Sequence, residues 1–140
     1  MEPKVKTVSL SVAREEVEHW LDHKKVRPKT RETNQENIDE IAELISEGIL
    51  SYDKESCKIT HRLQFPIKKE GGGNVLEQLV YQPRIRLKDV RPHLKGVKSD
   101  DTDGRVLAYY AAVTNEAKPM LENLDPADYG IGNNIIIFFF

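Results

Sequence analysis

The sequence predicts an α+β fold with an N-terminal helical hairpin, a central antiparallel β-hairpin and a C-terminal cluster of short helices. Three observations support this class. Apolar residues recur every three or four positions in two stretches before position 50, which is the spacing of amphipathic helices. They then alternate with polar residues from position 58 to position 67, as in a half-buried strand. Beyond Pro83, short apolar segments follow acidic or proline-containing starts that are typical of helix N-termini.

Two amphipathic helices are predicted in the N-terminal part. The first begins at the candidate N-cap Ser11 and ends in the polar stretch at positions 24–29. The second begins at Thr33, which forms a capping-box pattern with Glu36, and ends at Gly48. Neither helix can bury its apolar stripe alone, so we expect the two to pack as a hairpin against the following segment. The apolar residues at helical spacing are Ala13, Val17, Trp20 and Leu21 for the first helix and Ile38, Ile41, Ala42, Ile45 and, just past Gly48, Ile49 for the second.

The central segment predicts a β-hairpin. In its first strand, apolar residues and His61 share one face. Gly71, Gly72 and Gly73 form the turn, and positions 75–82 form the return strand. Phosphate binding by the three glycines is disfavoured, because a P-loop also carries a lysine and a serine or threonine and opens a helix rather than a strand.

Four short helices are predicted after the hairpin. Asp89 caps the first, with Pro92 in its first turn. Acidic residues at positions 100–103 precede the second helix, at positions 104–114, where negative charge is favourable against the helix dipole. The third carries the apolar residues of positions 120–124. The last begins with Asp125 as its cap, Pro126 at its first position and Asp128 at its third, and it runs towards position 140.

Composition is that of one ordinary globular domain. The chain has 140 residues, of which 39% are hydrophobic and 31% charged. We expect residues 1–74, with the helical hairpin and the first strand, and residues 75–140 to form one continuous unit. The formal charge of −2 argues against nucleic-acid binding through bulk positive charge. The single cysteine, Cys57, excludes an internal disulfide and a multi-cysteine zinc site.

Residues 135–140 (IIIFFF), here called the apolar segment, are the least ordinary feature of the sequence. The segment is much shorter than the about 20 apolar residues that cross a bilayer. No export signal follows Met1, so we expect a cytoplasmic protein with no membrane contact. A helix that is apolar all round must be covered on every side, so about half of the segment fits this chain's own core and the rest needs another protein. As a test of partner binding by this segment, we expect truncation after Asn134 to abolish co-purification with the partner protein while leaving a folded domain.

The sequence predicts no catalytic or metal site. His19 and His23 have the four-residue spacing of metal ligands, but both fall on the solvent side of the predicted helix. Positions 99–110 weakly match a calcium-binding loop, yet Ser99 and Tyr110 occupy positions where calcium takes carboxylates. No carboxylate lies at a catalytic spacing from a histidine or a nucleophile. We expect a protein that is not an enzyme and has no cofactor and no metal.

Nucleic-acid binding is the alternative function. Two helices followed by a strand hairpin also outline a winged-helix regulatory protein, and basic residues cluster twice. Against it, the predicted second helix is acidic, and no aromatic residues alternate with the basic ones. We therefore expect that nucleic acid is not the partner. The basic residues are Lys24, Lys25, Arg27, Lys29 and Arg31, then Arg84, Arg86, Lys88, Arg91, Lys95 and Lys98; the acidic ones are Glu36, Asp39, Glu40, Glu43 and Glu47.

Residues 75–140 carry an ordered set of motifs. A strand-like segment ends at Pro83, and Leu87-Lys88-Asp89-Val90-Arg91 opens a short helix. The runs LAYYAAVT at positions 107–114 and LDPADY at positions 124–129 follow, with Leu121 between them, and the segment closes on Phe138-Phe139-Phe140. In this order the segment resembles the tail assembly chaperones of contractile-tailed, Mu-like phages and prophages, in which a leucine and an aspartate precede a final helix that finishes in paired phenylalanines.

The resemblance implies a non-catalytic phage tail assembly chaperone. Such proteins bind the long helical tape-measure protein and keep it soluble until tail-tube subunits polymerise around it. It also implies the tail-tube protein as a second candidate partner, a place in the cytoplasm of the bacterial host and absence from the mature virion. Self-association through the apolar segment is a further alternative. We expect the partner-binding residues to be Leu107, Tyr110, Ala111, Ile136, Phe139 and Phe140.

Overall fold

The structure, a computed structural model, describes residues 7–140, and its elements confirm the predicted α+β class. Helices lie at both ends of the described chain, and an antiparallel sheet of three strands lies between them in sequence. The elements are α1 (Leu10–His23), α2 (Pro28–Thr33), α3 (Gln35–Ser46), β1 (Leu50–Asp53), β2 (Lys58–Lys68), β3 (Asn74–Tyr81), α4 (Leu87–Leu94), α5 (Thr102–Thr114), α6 (Lys118–Leu121), α7 (Pro126–Ile136) and a 3₁₀ turn (Ile137–Phe139).

The predicted helical hairpin forms between α1 and α3, but its helices begin elsewhere than expected. The hydroxyl of Ser9, rather than Ser11, caps α1 by accepting from the Val12 amide at 3.2 Å. The predicted capping box at Thr33 is wrong, because Thr33 ends the extra helix α2 and its hydroxyl donates to the Lys29 carbonyl at 2.9 Å. The fixed φ of Pro28 suits the first position of α2.

The sheet contains the predicted β-hairpin and one strand that the sequence did not predict. Its order is β1-β2-β3, with His61 of β2 paired with Leu50 on one side and Leu79 on the other. Gly48, with a φ of 81°, ends α3 as predicted and turns the chain into β1. The register of β2 against β3 is irregular between Arg62 and Ile67.

The C-terminal helices form the predicted cluster, with small differences at their starts. Helix α4 begins at Leu87, and Asp89 lies within it, where its carboxylate accepts from the Arg86 amide at 2.9 Å. Pro92 therefore lies in the second turn and not the first. Asp101 caps α5 by accepting from the Gly104 amide at 2.9 Å. Helix α5 contacts α4, α6, α7 and β3, so it is the centre of the cluster.

One hydrophobic core joins residues of the helical hairpin, the sheet and the C-terminal helices. Helix α7 contacts both α3 and β2, which closes the core from the C-terminal side. The largest enclosed side chains include Trp20, Ile41, Ile59, Tyr81, Tyr110 and Ile135. Among residues 7–140, no helix is long and apolar enough to cross a membrane.

Candidate partner-binding site

The apolar segment divides between the core and the surface. Asp125 caps α7 by accepting from the Ala127 amide at 2.9 Å, and Pro126 begins the helix as the sequence predicts. The helix then carries Ile135 and Ile136 into the core. Phe138, in the 3₁₀ turn, is buried edge-on against Trp20 with ring centroids 5.6 Å apart.

This packing contradicts the expectation that truncation after Asn134 leaves a folded domain. Removing the apolar segment would delete the three buried side chains of Ile135, Ile136 and Phe138. The expectation that about half of the segment belongs to this chain's own core agrees with this division. The surface part is therefore best tested by point substitution.

The structure places the six predicted partner-binding residues at different depths. Tyr110, Ala111 and Ile136 are buried in the core, so their side chains are not presented at the surface. Leu107 and Phe139 are partly buried against the core. Phe140 is 61% exposed. Only part of the predicted face is thus presented at the surface.

Phe140 packs on α5 and forms the edge of a shallow cleft. Its ring lies 4.7 Å from the ring of Tyr109, centroid to centroid. The cleft holds about 190 Å³ and is lined by Thr102, Arg105, Val106 and Phe140. Tyr109 and Val106 were not among the predicted site residues. They lie within two residues of Leu107 in sequence. The predicted face contained residues at helical spacing from Leu107, so it did not include them.

Phe139 is covered on one face by a lysine from the helical hairpin. The Nζ of Lys24 lies 3.4 Å from the centre of the Phe139 ring, and it donates to the Pro83 carbonyl at 2.8 Å. Burial, together with the nearby charge of Arg84, lowers the pKa of Lys24 to about 8. Lys24 therefore joins α1 to the apolar segment, and Phe139 has less surface for a partner than Phe140.

A buried polar network holds α7 against the sheet. The Asp128 carboxylate accepts from the backbone amides of Gln64 and Phe65, each at 2.9 Å, and lies 3.3 Å from Nε2 of His61. His61 also hydrogen-bonds the Tyr81 hydroxyl through Nδ1 at 3.0 Å. The sequence predicted Asp128 as an acid in the first helical turn and His61 on the inner strand face, but not their contact.

The network has the residue types of an acid–base site but no access for a substrate. His61, Tyr81 and Asp128 are all completely buried. Burial lowers the pKa of His61, and the Asp128 carboxylate opposes that shift only in part. Burial also raises the pKa of Tyr81. A neutral histidine bonded on both nitrogens is a structural link between sheet and helix rather than a reactive group.

The other side chains that could act in catalysis or metal binding, His19 and Cys57, also form hydrogen bonds within the fold. Nδ1 of His19 hydrogen-bonds the Tyr52 hydroxyl at 2.6 Å, which joins α1 to β1. Within residues 7–140, no group of three or more His, Cys, Asp or Glu side chains could hold a metal ion. Cys57 is buried, and its thiol donates to the Lys54 carbonyl at 3.6 Å.

The exposed aromatic ring of Phe140, beside Tyr109 and the cleft at α5, is thus the part of the predicted site that the surface presents. Comparison of this chain with known protein families, with curated proteins and with solved structures gives no match.

Proposed function

We propose that this chain is a non-catalytic phage tail assembly chaperone that binds the tape-measure protein and keeps it soluble during tail assembly. The motif order of residues 75–140 supports the class of protein. The observation that carries the binding role is the exposed ring of Phe140, seated on Tyr109 beside an apolar-edged cleft. A tape-measure helix presents apolar side chains at regular spacing, and an aromatic anchor beside a cleft suits such a helix.

The proposed contact surface consists of Phe140, Tyr109, Val106 and the exposed part of Leu107. It excludes Tyr110, Ala111 and Ile136, because these side chains fill the chain's own core. The tail-tube protein stays a second candidate partner. In this proposal the protein acts in the cytoplasm of the bacterial host and is absent from the mature virion.

The exposed charge of α3 counts against the winged-helix alternative. In helix-turn-helix DNA-binding proteins, the recognition helix lies in the major groove, flanked by the phosphate backbones. The outward residues of α3 are carboxylates, which a phosphate backbone repels. The protein-binding role is therefore the better supported of the two.

Co-expression with the tape-measure protein of the same phage genome tests the proposal. We expect the wild-type chain to co-purify with it and to raise its soluble fraction. Replacement of Phe140 by aspartate should reduce co-purification about tenfold or more, because a charge replaces an aromatic anchor.

Phe65 provides the matched control, tested with the uncharged pair Phe65→Asn and Phe140→Asn, because an aspartate at position 65 would repel the Asp128 carboxylate that accepts from the Phe65 amide. Phe65 is 55% exposed on β2 and is not part of the cleft lining. We expect Phe65→Asn to co-purify like the wild type and Phe140→Asn to lose most of its co-purification. Absence of co-purification by the wild type, or equal loss in both variants, would contradict the proposed site.

A further inference from the structure

The segment around α4 presents a basic surface. Its six cationic side chains are exposed, and Leu87, 68% exposed, lies in sequence among them. Within residues 7–140, one of these cations forms an ion pair: Nε of Arg86 lies 3.6 Å from the Asp89 carboxylate. We call this set the basic surface: Arg84, Arg86, Lys88, Arg91, Lys95 and Lys98, with Leu87.

Helix α3 presents a surface of opposite charge. It contains no lysine or arginine, and its outward side chains are carboxylates that repeat every three or four residues up to its C-cap, over about 16 Å. Within the described part of the chain, none of these carboxylates forms an ion pair, and Asp39 accepts only from Gln35. We call this set the acidic stripe: Glu36, Asp39, Glu40, Glu43 and Glu47.

Both surfaces are electrostatically unfavourable in the isolated chain. Like charges three or four residues apart on a helix repel one another. Glu43 and Glu47 also lie at the negative end of the α3 dipole, and Arg86 and Lys88 lie at the positive end of the α4 dipole, whereas Glu36 and Arg91 lie at the favourable ends. A partner of opposite charge would relieve the repulsion within each set.

We propose that the basic surface of one copy docks on the acidic stripe of a second copy of this chain. Six exposed cations in and around α4 complement five exposed carboxylates along α3 and at its C-cap. Leu87 favours a protein over a nucleic acid, because an exposed leucine among the cations adds contact with a helix but none with phosphate. The acidic stripe and the net charge of −2 would also repel a polyanion.

Each copy contributes one surface of each kind, so the contact joins unlike faces. Such contacts build rings when the rotation closes and longer chains when it does not. The interaction is electrostatic and exposed at its rim, so salt should weaken it. The Phe140 surface takes no part, and the inference is therefore independent of tape-measure binding.

Charge-reversal variants of the full chain test the inference by analytical ultracentrifugation. In low salt, about 0.02 M, we expect the wild type to form species larger than the monomer, and about 0.5 M salt should dissociate them. E40K/E43K reduces the formal charge of the acidic stripe from −5 to −1, and K88E/R91E reduces that of the basic surface from +6 to +2. Each variant alone should self-associate at least about tenfold more weakly, and an equimolar mixture should associate again, because each variant keeps intact the surface that the other has lost.

Controls separate this contact from general charge effects and from nucleic-acid binding. K54E/K68E makes the same change in net charge as K88E/R91E at exposed positions outside both surfaces, and it should associate like the wild type. A monomeric wild type in low salt, or a mixture that does not recover association, would overturn the inference. A monomeric wild type that binds a labelled 20-base-pair duplex (about two helical turns), with loss of binding in K88E/R91E, would overturn it in favour of a nucleic-acid partner.

Discussion

Asp128 shows how a single buried side chain positions an entire helix. Its carboxylate accepts from the backbone amides of Gln64 and Phe65, for which β1 and β3 provide no paired residue. These amides lie in the irregular stretch of β2, so the carboxylate satisfies donors that the sheet leaves open. A completely buried carboxylate without donors is costly, so the position of α7 depends on the irregularity of β2 that frees these two amides.

Gly132 of α7 is a second residue whose identity the packing dictates. A Cβ at this position would overlap the hydroxyl oxygens of Tyr110 and Tyr81, whereas a Cβ at Gly130 meets nothing within 4 Å. We expect Gly132→Ala to lower the free energy of unfolding by about 3 kcal/mol. Gly130→Ala on the same helix should be neutral or stabilising, by up to about 1 kcal/mol. Urea denaturation of both variants measures the difference, and equal effects would contradict the described approach of the tyrosines to α7.

Burial of His61 should make the free energy of unfolding depend on pH. Burial lowers the pKa of His61 in the folded state below its ordinary value of 6.5. Below that pH the unfolded chain binds more protons than the folded one, so the free energy of unfolding should fall from pH 7 to pH 5. The contribution of His61 is at most about 1.4 kcal/mol per pH unit.

Urea denaturation at pH 7, 6 and 5 measures this dependence. His61→Gln should flatten it, because glutamine does not titrate, although the variant is less stable at every pH. An unchanged slope in His61→Gln would show that other groups cause the pH effect.

At the scale of elements, the sequence predicted the helices and strands that depend on neighbouring residues alone. The alternation from position 58 to position 67 predicted β2, and Asp125-Pro126 predicted the start of α7, because strand faces and helix caps depend on neighbouring residues. Strand β1 has only the four residues Leu50–Asp53, too few for a period, and its pairing with β2 is a tertiary contact.

The candidate site could be predicted only in part for the same reason. The sequence identified the apolar segment, but it could not assign each residue to the core or to the surface. That division depends on the contact of Phe138 with Trp20, residues far apart in sequence, and on the placement of Lys24 over Phe139. Likewise, the contact of Asp128 with His61 joins elements from the two halves of the chain.

Substitutions of Phe138 and Phe140 should separate effects on folding stability from effects on partner binding within the apolar segment. Phe138 is buried against Trp20, so Phe138→Ala should lower the free energy of unfolding by about 3 kcal/mol. Phe140 is mostly exposed, so Phe140→Ala should lower it by less than about 1 kcal/mol. Thermal or urea denaturation measures both changes. A larger loss in Phe140→Ala than in Phe138→Ala would contradict the orientation of the 3₁₀ turn.

At the scale of the whole molecule, charge and packing divide the chain differently. Residues 1–98 contain 19 Lys and Arg against 16 Asp and Glu, and residues 99–140 contain 2 against 7. The hydrophobic core does not follow that boundary, because it includes side chains from α1, α3, α5, α6, α7 and the 3₁₀ turn and from all three strands. Charge therefore shapes the surface, whereas a shared core determines which parts fold together.

Because one hydrophobic core joins both ends of the described chain, we expect residues 7–140 to unfold in a single transition. Trp20 is the chain's one tryptophan, and it belongs to α1 while its ring contacts Phe138 at the other end of the sequence. Its fluorescence therefore reports contact between the two ends, and far-UV circular dichroism reports all helices and strands. We expect the two signals to share one urea midpoint, because separation of α7 from the sheet would expose His61, Asp128 and the core together. A fluorescence change at lower urea than the loss of circular dichroism would instead show that α7 and the 3₁₀ turn detach first.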